Sequence, residues 1–542
     1  MKRIYFICLL VLLALFATMP LKAQTQKYWI FLSDKDTIGY QYEQHLSEEA
    51  IERRIDQQIA LYQYSDIPIN KQYLQALQEQ GIQIVQLSKW LNAVTAILTN
   101  EQVKQLQNLS FVKNIVPMNN KFRILGQTAP KAIEYALAIE QMEAEAMTKA
   151  NLDGTGILIG VIDAGYVGAS QNEYLQHLFD EKRILAVKDL VNPKRTEYFK
   201  YAETSSDSHG NTVLQMITGY EKGGSQYGFA TKSQFYLART DHGDNEFRGE
   251  EDYWVSAMEW LDSLGVRVIN TSLGYAVGFD NPEENYKPEQ MDGKTSTISK
   301  ATHIASNEKG LLLVVSAGNE GNDTNWRVVS TPADSESVLS VGATQPNGLK
   351  AGYSSIGTEF MPYLKPNIAC FSANGTSFSA PILTGFAACL MQKNKKASNK
   401  EIFSIIEKSA HLYPYGNNYI GYGIPKASKA IKIAENANEK FQENNPIKAK
   451  VKYEWKVANK QDRIVLFHKK NETIVVSQDI VSANKEKYSL IRPEKVNRTT
   501  IVEGNKITEI IWEGETQKQL KKAARKAKKA ARKNQRKQSK NK

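Results

Sequence analysis

Cysteine is scarce in this chain: three residues occur in 542, and Cys8 falls inside an apolar N-terminal run. The remaining two, Cys370 and Cys389, cannot build a disulfide framework. Each lies in an apolar stretch, where a buried free thiol is expected. The seven histidines are scattered, no HExxH occurs, and no cysteine pair has zinc-ribbon spacing, which argues against a zinc hydrolase. Past the first 23 residues no segment reaches the ~20 apolar residues of a membrane-spanning helix. Fixed-period repeats are also lacking, so solenoid and collagen-like architectures drop out. What is present, 42% hydrophobic and 9% aromatic residues, is the material of folded domains rather than of a disordered chain.

Excess charge of one sign is confined to the end. The net charge is +11, yet Lys518 to Lys542 alone carries thirteen Lys or Arg and no acid. Removing those thirteen leaves about −2, and removing Lys2 and Arg3 as well leaves about −4 for the body. The basicity is therefore a tail from residue 516, expected to be solvated and partly disordered. Anionic surface polymer, lipid headgroups or nucleic acid are the partners its charge would attract. At the other end, Lys2 and Arg3 precede an apolar run from Ile4 to Met19, and the small Ala23 follows. This predicts a secretory signal over 1–23 and a destination outside the cytoplasm.

The order of hydrophobic patterns divides the rest. From 24 to 123, strand-like "KYWIFL", "IQIVQLSKWLNAVTAIL" and "VKNIVPM" alternate with two helix signals, one capped by Ser47 and one running from Asn70 to Gly81. A third helix signal is read from Asn100. This predicts one small α/β unit of open-sandwich type. After a linker and helical stretch over 124–150, the rhythm changes. "ILIGVI", "FYLAR", "RVINTSL", "LLLVVS" and "VLSVGA" lack a polar face, as strands covered on both sides do. Helical patterns alternate with them, which predicts a mostly parallel sheet between helices over 151–437. Residues 438–515 return to a period of two, as expected for a small β-rich accessory domain.

Open parallel sheets collect functional groups beyond the carboxyl ends of their strands, so polar residues that abruptly end apolar strands matter most. Asp163 ends "ILIGVID", His209 sits in "SHGN" before an apolar-periodic helix, and Ser377 sits in "NGTSFSAP". A serine hydroxyl becomes a useful nucleophile when an imidazole takes its proton and a carboxylate fixes the imidazole tautomer. The chain order Asp, His, Ser differs from the α/β-hydrolase order. A fourth residue, Asn319 in "SAGNEG", ends another buried strand and offers an amide donor to an oxyanion, with the Ser377 N–H at a helix start as the second. Taken singly, each residue is as well explained as a cap or turn residue. The ordered set is specific where its members are not.

These segments, with "VINTSLGY", resemble the ordered signature of the subtilisin-like (subtilase) serine peptidases over roughly 151–437. The resemblance implies a three-layer α/β fold and endopeptidase activity on protein or peptide substrates. It implies that Asp163 orients, His209 acts as general base and then acid, Ser377 attacks, and Asn319 stabilises the oxyanion. It further implies that Ser272, Leu273 and Gly274 form an edge strand pairing with the substrate backbone. Ser316, Ala317 and Gly318 would form one wall of the P1 pocket. By the same route residues 24–123 have the position and size of a propeptide, acting as folding chaperone and inhibitor, with removal expected between about 119 and 131. No cofactor is required; a structural calcium is compatible with the family, but no ligands are assigned, and a monomer is expected. Phe378 and Ser379 stand where the family usually has Met and Ala, and "YGFAT" stands where it has GxAP. The acidic insert from Asp241 to Asp252 resembles a Bacteroidetes-like branch and is read as a solvated loop. The competing function is a non-catalytic or polyanion-tethered peptide-binding scaffold on the same fold.

Overall fold

The computed structural model describes residues 25–118, 122–124, 132–243, 250–276, 286–436, 445–457, 463–514, 521–522 and 525. The predicted signal over 1–23, and the tail from 516 apart from three residues, lie outside them. Two compact units are distinguished: residues 25–38 with 67–118, and the remainder, to which residues 39–66 belong.

In the first unit the alternating apolar pattern builds four strands, β1 (Thr25–Leu32), β2 (Ile84–Ser88), β3 (Ala93–Thr99) and β4 (Val112–Pro117). They pair antiparallel in the order β2-β3-β1-β4. Ile30, Val94 and Leu98 point into a small core with Leu77 and Leu106 of the helices Lys71–Glu79 and Asn100–Leu106. Asn70 caps the first of these helices, as its sequence predicts. The second is capped by Thr99 rather than Asn100, because Thr99 and Gln102 satisfy each other's backbone N–H in a capping box. Residues 39–66, read above as part of one N-terminal unit, group instead with the larger unit. Their helix, Glu48–Asp56, has the predicted Ser47 cap.

The larger unit begins its described strands with β5 (Phe122–Ile124), β6 (Leu158–Asp163), β7 (Ile184–Asp189), β8 (Gln234–Arg239) and β9 (Val268–Thr271). They are followed by β10 (Leu273–Tyr275), β11 (Leu312–Ser316), β12 (Leu339–Thr344) and β13 (Ile368–Phe371). Seven of these form a sheet in the order β13-β12-β11-β9-β6-β8-β7, with every neighbouring pair parallel. Strands β9, β11, β12 and β13 are buried along their whole length, which is why none of them carries a charged residue. Their core continues into the helix Ala380–Lys393, where Leu383, Phe386 and Leu390 are fully buried. The two strands without a clear sequence signal, β7 and β13, lie at the sheet edges. There a partly exposed or very short strand carries a weak pattern.

Cys370 on β13 and Cys389 on the Ala380–Lys393 helix are both buried and unbridged, and burial pushes both thiols up. Past residue 445 the β-rich prediction takes the form of a five-stranded sheet and a two-stranded pair. Val465, Phe467 and Val502 of that sheet share a core with Leu412 and Ile420, so it is packed into the larger unit rather than tethered to it.

Candidate active site

The carboxyl end of β6 carries Asp163, fully buried, with one carboxylate oxygen accepting from the Ala164 N–H at 2.8 Å. The same oxygen lies 2.7 Å from His209 Nδ1. His209 opens the helix His209–Thr218, and two glycines let its loop approach the end of β6. A Cβ at Gly165 would lie 2.7 Å from the Asp207 carbonyl oxygen, and one at Gly210 would lie 2.4 Å from the Gly165 carbonyl oxygen. Gly210 N donates to that Gly165 oxygen at 2.8 Å, which ties the two loops together. The "DAG" and "SHGN" segments are thus small-residue contacts made for one geometry. With Nδ1 directed to Asp163, His209 presents Nε2, which is buried and has no hydrogen-bond partner among the described residues.

Ser377 lies in a short 3₁₀ turn, Thr376–Phe378, ahead of the helix that starts at Ala380, rather than in the helix itself. Ser379 Oγ donates to the Thr376 carbonyl at 3.0 Å and so secures the turn, while Pro381 occupies the first helical turn, where its missing N–H is harmless. Phe378 stacks at a tilt on the His209 ring, with centroids 5.5 Å apart. Ser377 Oγ is 3.4 Å from the Ser272 carbonyl oxygen, and Ser272 Oγ donates to the Ser377 carbonyl at 2.9 Å. The structure therefore pairs Asp163 with His209 and Ser377 with Ser272. It does not make a Ser377–His209 hydrogen bond.

Ser316 ends β11, Ala317 N is held by the Val341 carbonyl at 3.0 Å, and the chain then turns at Gly318, whose φ is +118°. A Cβ at Gly318 would come within 2.7 Å of Ser355 Oγ. The turn brings Asn319 Oδ1 to Thr376 N at 2.9 Å and Thr376 Oγ1 at 3.0 Å, beside Ser377. An amide whose oxygen is anchored in this way has its Nδ2 as the donor end. On the other side, β10 pairs antiparallel with β5, setting Ile124 opposite Leu273, Arg123 opposite Gly274 and Phe122 opposite Tyr275. The edge strand read from "SLGY" thus holds a segment of the chain's own backbone.

Three supporting residues escaped the sequence reading. Arg239 ends β8 and donates to the Ala164 carbonyl at 2.9 Å and to Asp207 Oδ1 at 3.0 Å, bracing both the Asp163 and His209 loops. Burial alone would raise the Asp207 carboxyl, but hydrogen bonds from Glu203 N and Thr204 Oγ1 and the charges of Arg239 and Arg195 hold it below the usual carboxylate range. Thr376 is the third, through its contacts to Gly318 and Asn319. The signal for Arg239 was available: a cation ends the apolar "FYLAR" as Asp163 ends "ILIGVID".

The acidic insert differs from expectation. Asp241, Glu250, Glu251 and Asp252 are buried, not solvated; residues 244–249 lie outside the described residues. Glu250, Glu251 and Asp252 occupy the first turn of the helix Glu250–Ser263, where acids suit the helix dipole, and Glu250 accepts from His242 N at 3.0 Å. Burial and neighbouring Glu250 push Asp241 well above the usual range, and burial pushes Glu251 up to about 8. Among the described residues no group of three or more His, Cys, Asp and Glu could hold a metal ion.

Residues 154–423 match the model of the subtilase family, and residues 27–132 match that of the peptidase S8 propeptide domain of Bacteroidota. Subtilisin NAT of Bacillus subtilis subsp. natto is 24% identical over 357 residues, spanning 64% of this chain and 83% of the relative. Subtilisin of Bacillus pumilus is 25% identical over 295 residues, spanning 53% and 94%. Among solved structures, the epidermin leader peptide processing serine protease (EpiP) from Staphylococcus aureus aligns with a TM-score of 0.51 at 16% identity. That alignment covers 77% of this chain and all of the neighbour, and it shows the fold.

Proposed function

Because the chain belongs to the subtilase family of serine endopeptidases, carrying that family's propeptide domain, we propose that it hydrolyses peptide bonds through an acyl-enzyme on Ser377. The observation that carries this reading is the 2.7 Å contact between Asp163 and His209 at the carboxyl end of the sheet. It fixes the tautomer in which Nε2 is the acceptor. In the first step Ser377 Oγ leaves the Ser272 carbonyl, gives its proton to Nε2 and attacks the substrate carbonyl. Catalytic hydrogen bonds commonly tighten only when substrate is bound. The oxyanion is met by Asn319 Nδ2 and the Ser377 N–H. Nε2 then returns the proton to the leaving amine, and water repeats the sequence on the ester. A fluorophosphonate probe should label Ser377 in the processed protein; absence of labelling, or labelling that survives Ser377→Ala, rejects the reading.

Removal of the Asn319 donor should lower kcat by about 10² to 10³, the size found for one oxyanion donor in subtilisin itself. Asn319→Asp separates donation from anchoring, since the acid retains an oxygen for Thr376 but cannot donate. Comparable kcat losses for Asn319→Ala and Asn319→Asp, with KM little changed, are the expected outcome. Activity kept by Asn319→Asp would make the residue a support for Thr376 only.

The β5–β10 register also predicts where the chain cuts itself. In an antiparallel pair the residue after Ile124 corresponds to the residue before Leu273, which is Ser272, the neighbour of Ser377. The bond following Leu125 is therefore the one to be cut, and mass spectrometry of the mature protein should find Gly126 at its N-terminus. A terminus outside 124–128 would reject this register as the processing geometry. On this reading the propeptide is the enzyme's own inhibitor. The apolar start ending near Ala23 supports action after export, and the thirteen cations of the tail support attachment to an anionic surface.

A further inference from the structure

Residues 39–66 make their polar contacts at the end of the seven-stranded sheet remote from Ser377. Ser47 N donates to the Ser263 carbonyl at 2.9 Å, and Arg53 reaches the Val266 carbonyl and Asp262. Asp262 and Val266 precede β9, whereas Ser272 follows it. At about 3.3 Å per strand residue the two ends are roughly 15–20 Å apart. Lys309 and Gly310 likewise precede β11, whereas Asn319 follows it.

The contact is built around a buried set of charges. Arg54 bridges Asp66 at 2.5 Å and Asp262 at 2.9 Å, and Lys309 lies 2.9 Å from Asp66. The side chains of Arg54, Asp66, Asp262 and Lys309 have no exposed surface. Arg54 and Asp66 come from the segment, as does Arg53, which also pairs with Asp262, and Asp262 and Lys309 come from the catalytic region, so each side supplies charges of both signs. The backbone is fitted as closely. Gly265 and Gly310 have φ of +79° and +68°, and a Cβ there would lie 2.6 Å from the Glu49 carbonyl carbon and 2.1 Å from Gln57 Oε1. A cavity of about 450 Å³, lined by Glu49, Asp56, Arg267 and Lys395 among others, remains beside the helix. Buried ion pairs and close backbone contact thus join the segment to the catalytic region.

Both ends of the segment continue into residues 38 and 67, so a cut after Met118 leaves it with no covalent link to the catalytic region. We propose that this end of the sheet is a second docking site, distinct from the substrate cleft. It holds residues 39–66, and with them the excised N-terminal fragment, as a noncovalent partner after β5 has left the cleft. The excision rests on the proteolytic reading above; the docking does not. Clearing the cleft and losing the fragment are then separate events, and substrate can be turned over with the fragment still attached.

The test uses the full chain carrying Ser377→Ala, with residues 120–125 replaced by Gly and Ser so that β5 cannot pair, and with a sequence-specific protease site within 126–131. After nicking, size-exclusion chromatography should find the N-terminal fragment co-eluting with the catalytic region. Arg54→Ala should weaken that retention at least ~100-fold, because it removes the buried cation shared by Asp262 and Asp66 and leaves Asp262 only Arg53 and Asp66 only Lys309. Arg54→Lys should recover part of it, and Glu48→Ala, on the exposed face of the same helix, should have no effect. A fragment that separates on nicking, or that is retained equally by Arg54→Ala, overturns the proposal. Should Arg54→Ala not fold, hydrogen exchange on the nicked parent decides: the amides of 48–56 must stay as protected as in the uncut chain, and exchange at the rate of a free peptide overturns it. Self-cleavage by the chain with Ser377 intact is scored separately, so failure of the proteolytic reading and failure of the docking site are told apart.

Discussion

Ser377→Ala is expected to lower peptide turnover by about 10⁶-fold, the loss known for removing the nucleophilic serine of subtilisin, a member of the same family. Such a loss would belong to the chemistry, because alanine disturbs little else. Ser377 is fully buried, and its hydroxyl makes one long contact, 3.4 Å to the Ser272 carbonyl. Losing a contact of that quality costs about 1 kcal/mol or less. The Ser272 Oγ bond to the Ser377 backbone is untouched, as are the anchors on Thr376. Thermal unfolding should therefore shift by no more than a few degrees while turnover disappears. Intact-mass analysis gives a second readout, since the variant should retain its N-terminal segment unless another protease removes it. Turnover within tenfold of the parent would remove Ser377 from the role of nucleophile.

The parts of this molecule that the sequence disclosed are those where one physical requirement dominates a segment. Burial on both sides keeps charged residues out of β9, β11 and β12, so those strands are legible. A helix end needs a donor's partner, so Ser47 and Asn70 are legible as caps. Asp163, Asn319 and Ser377 stand out because each breaks an apolar or small-residue pattern at a strand or helix end. Residues whose role depends on partners distant in sequence were not legible. Arg54 looks like an ordinary helix cation until Asp262, 208 positions away, is brought to it. Asp241, Glu250, Glu251 and Asp252 look solvated by composition, and their burial follows only from where the Glu250–Ser263 helix begins. The position of residues 39–66 is a third case. Their local helix signal was correct, but nothing in that pattern states which surface the helix covers.

Asp163→Asn should cost about 10⁴-fold in kcat, with a much smaller change in KM. The carboxylate oxygen that receives His209 Nδ1 at 2.7 Å also receives the Ala164 N–H at 2.8 Å, so an asparagine oxygen has a competing reason to stay with Ala164. An amide that turns its NH₂ toward His209 makes Nδ1 an acceptor and puts the proton on Nε2. The imidazole then faces Ser377 as a donor and cannot take the serine proton. The geometry of the loops should survive this exchange. Gly210 N remains bonded to the Gly165 carbonyl, and Arg239 still joins Ala164 to Asp207. Thermal stability near that of the parent, together with the kcat loss, is therefore the expected pair of results. A variant that loses stability as much as activity would show Asp163 acting mainly as a fold residue at the end of β6, and retention of kcat within tenfold would remove it from the catalytic set.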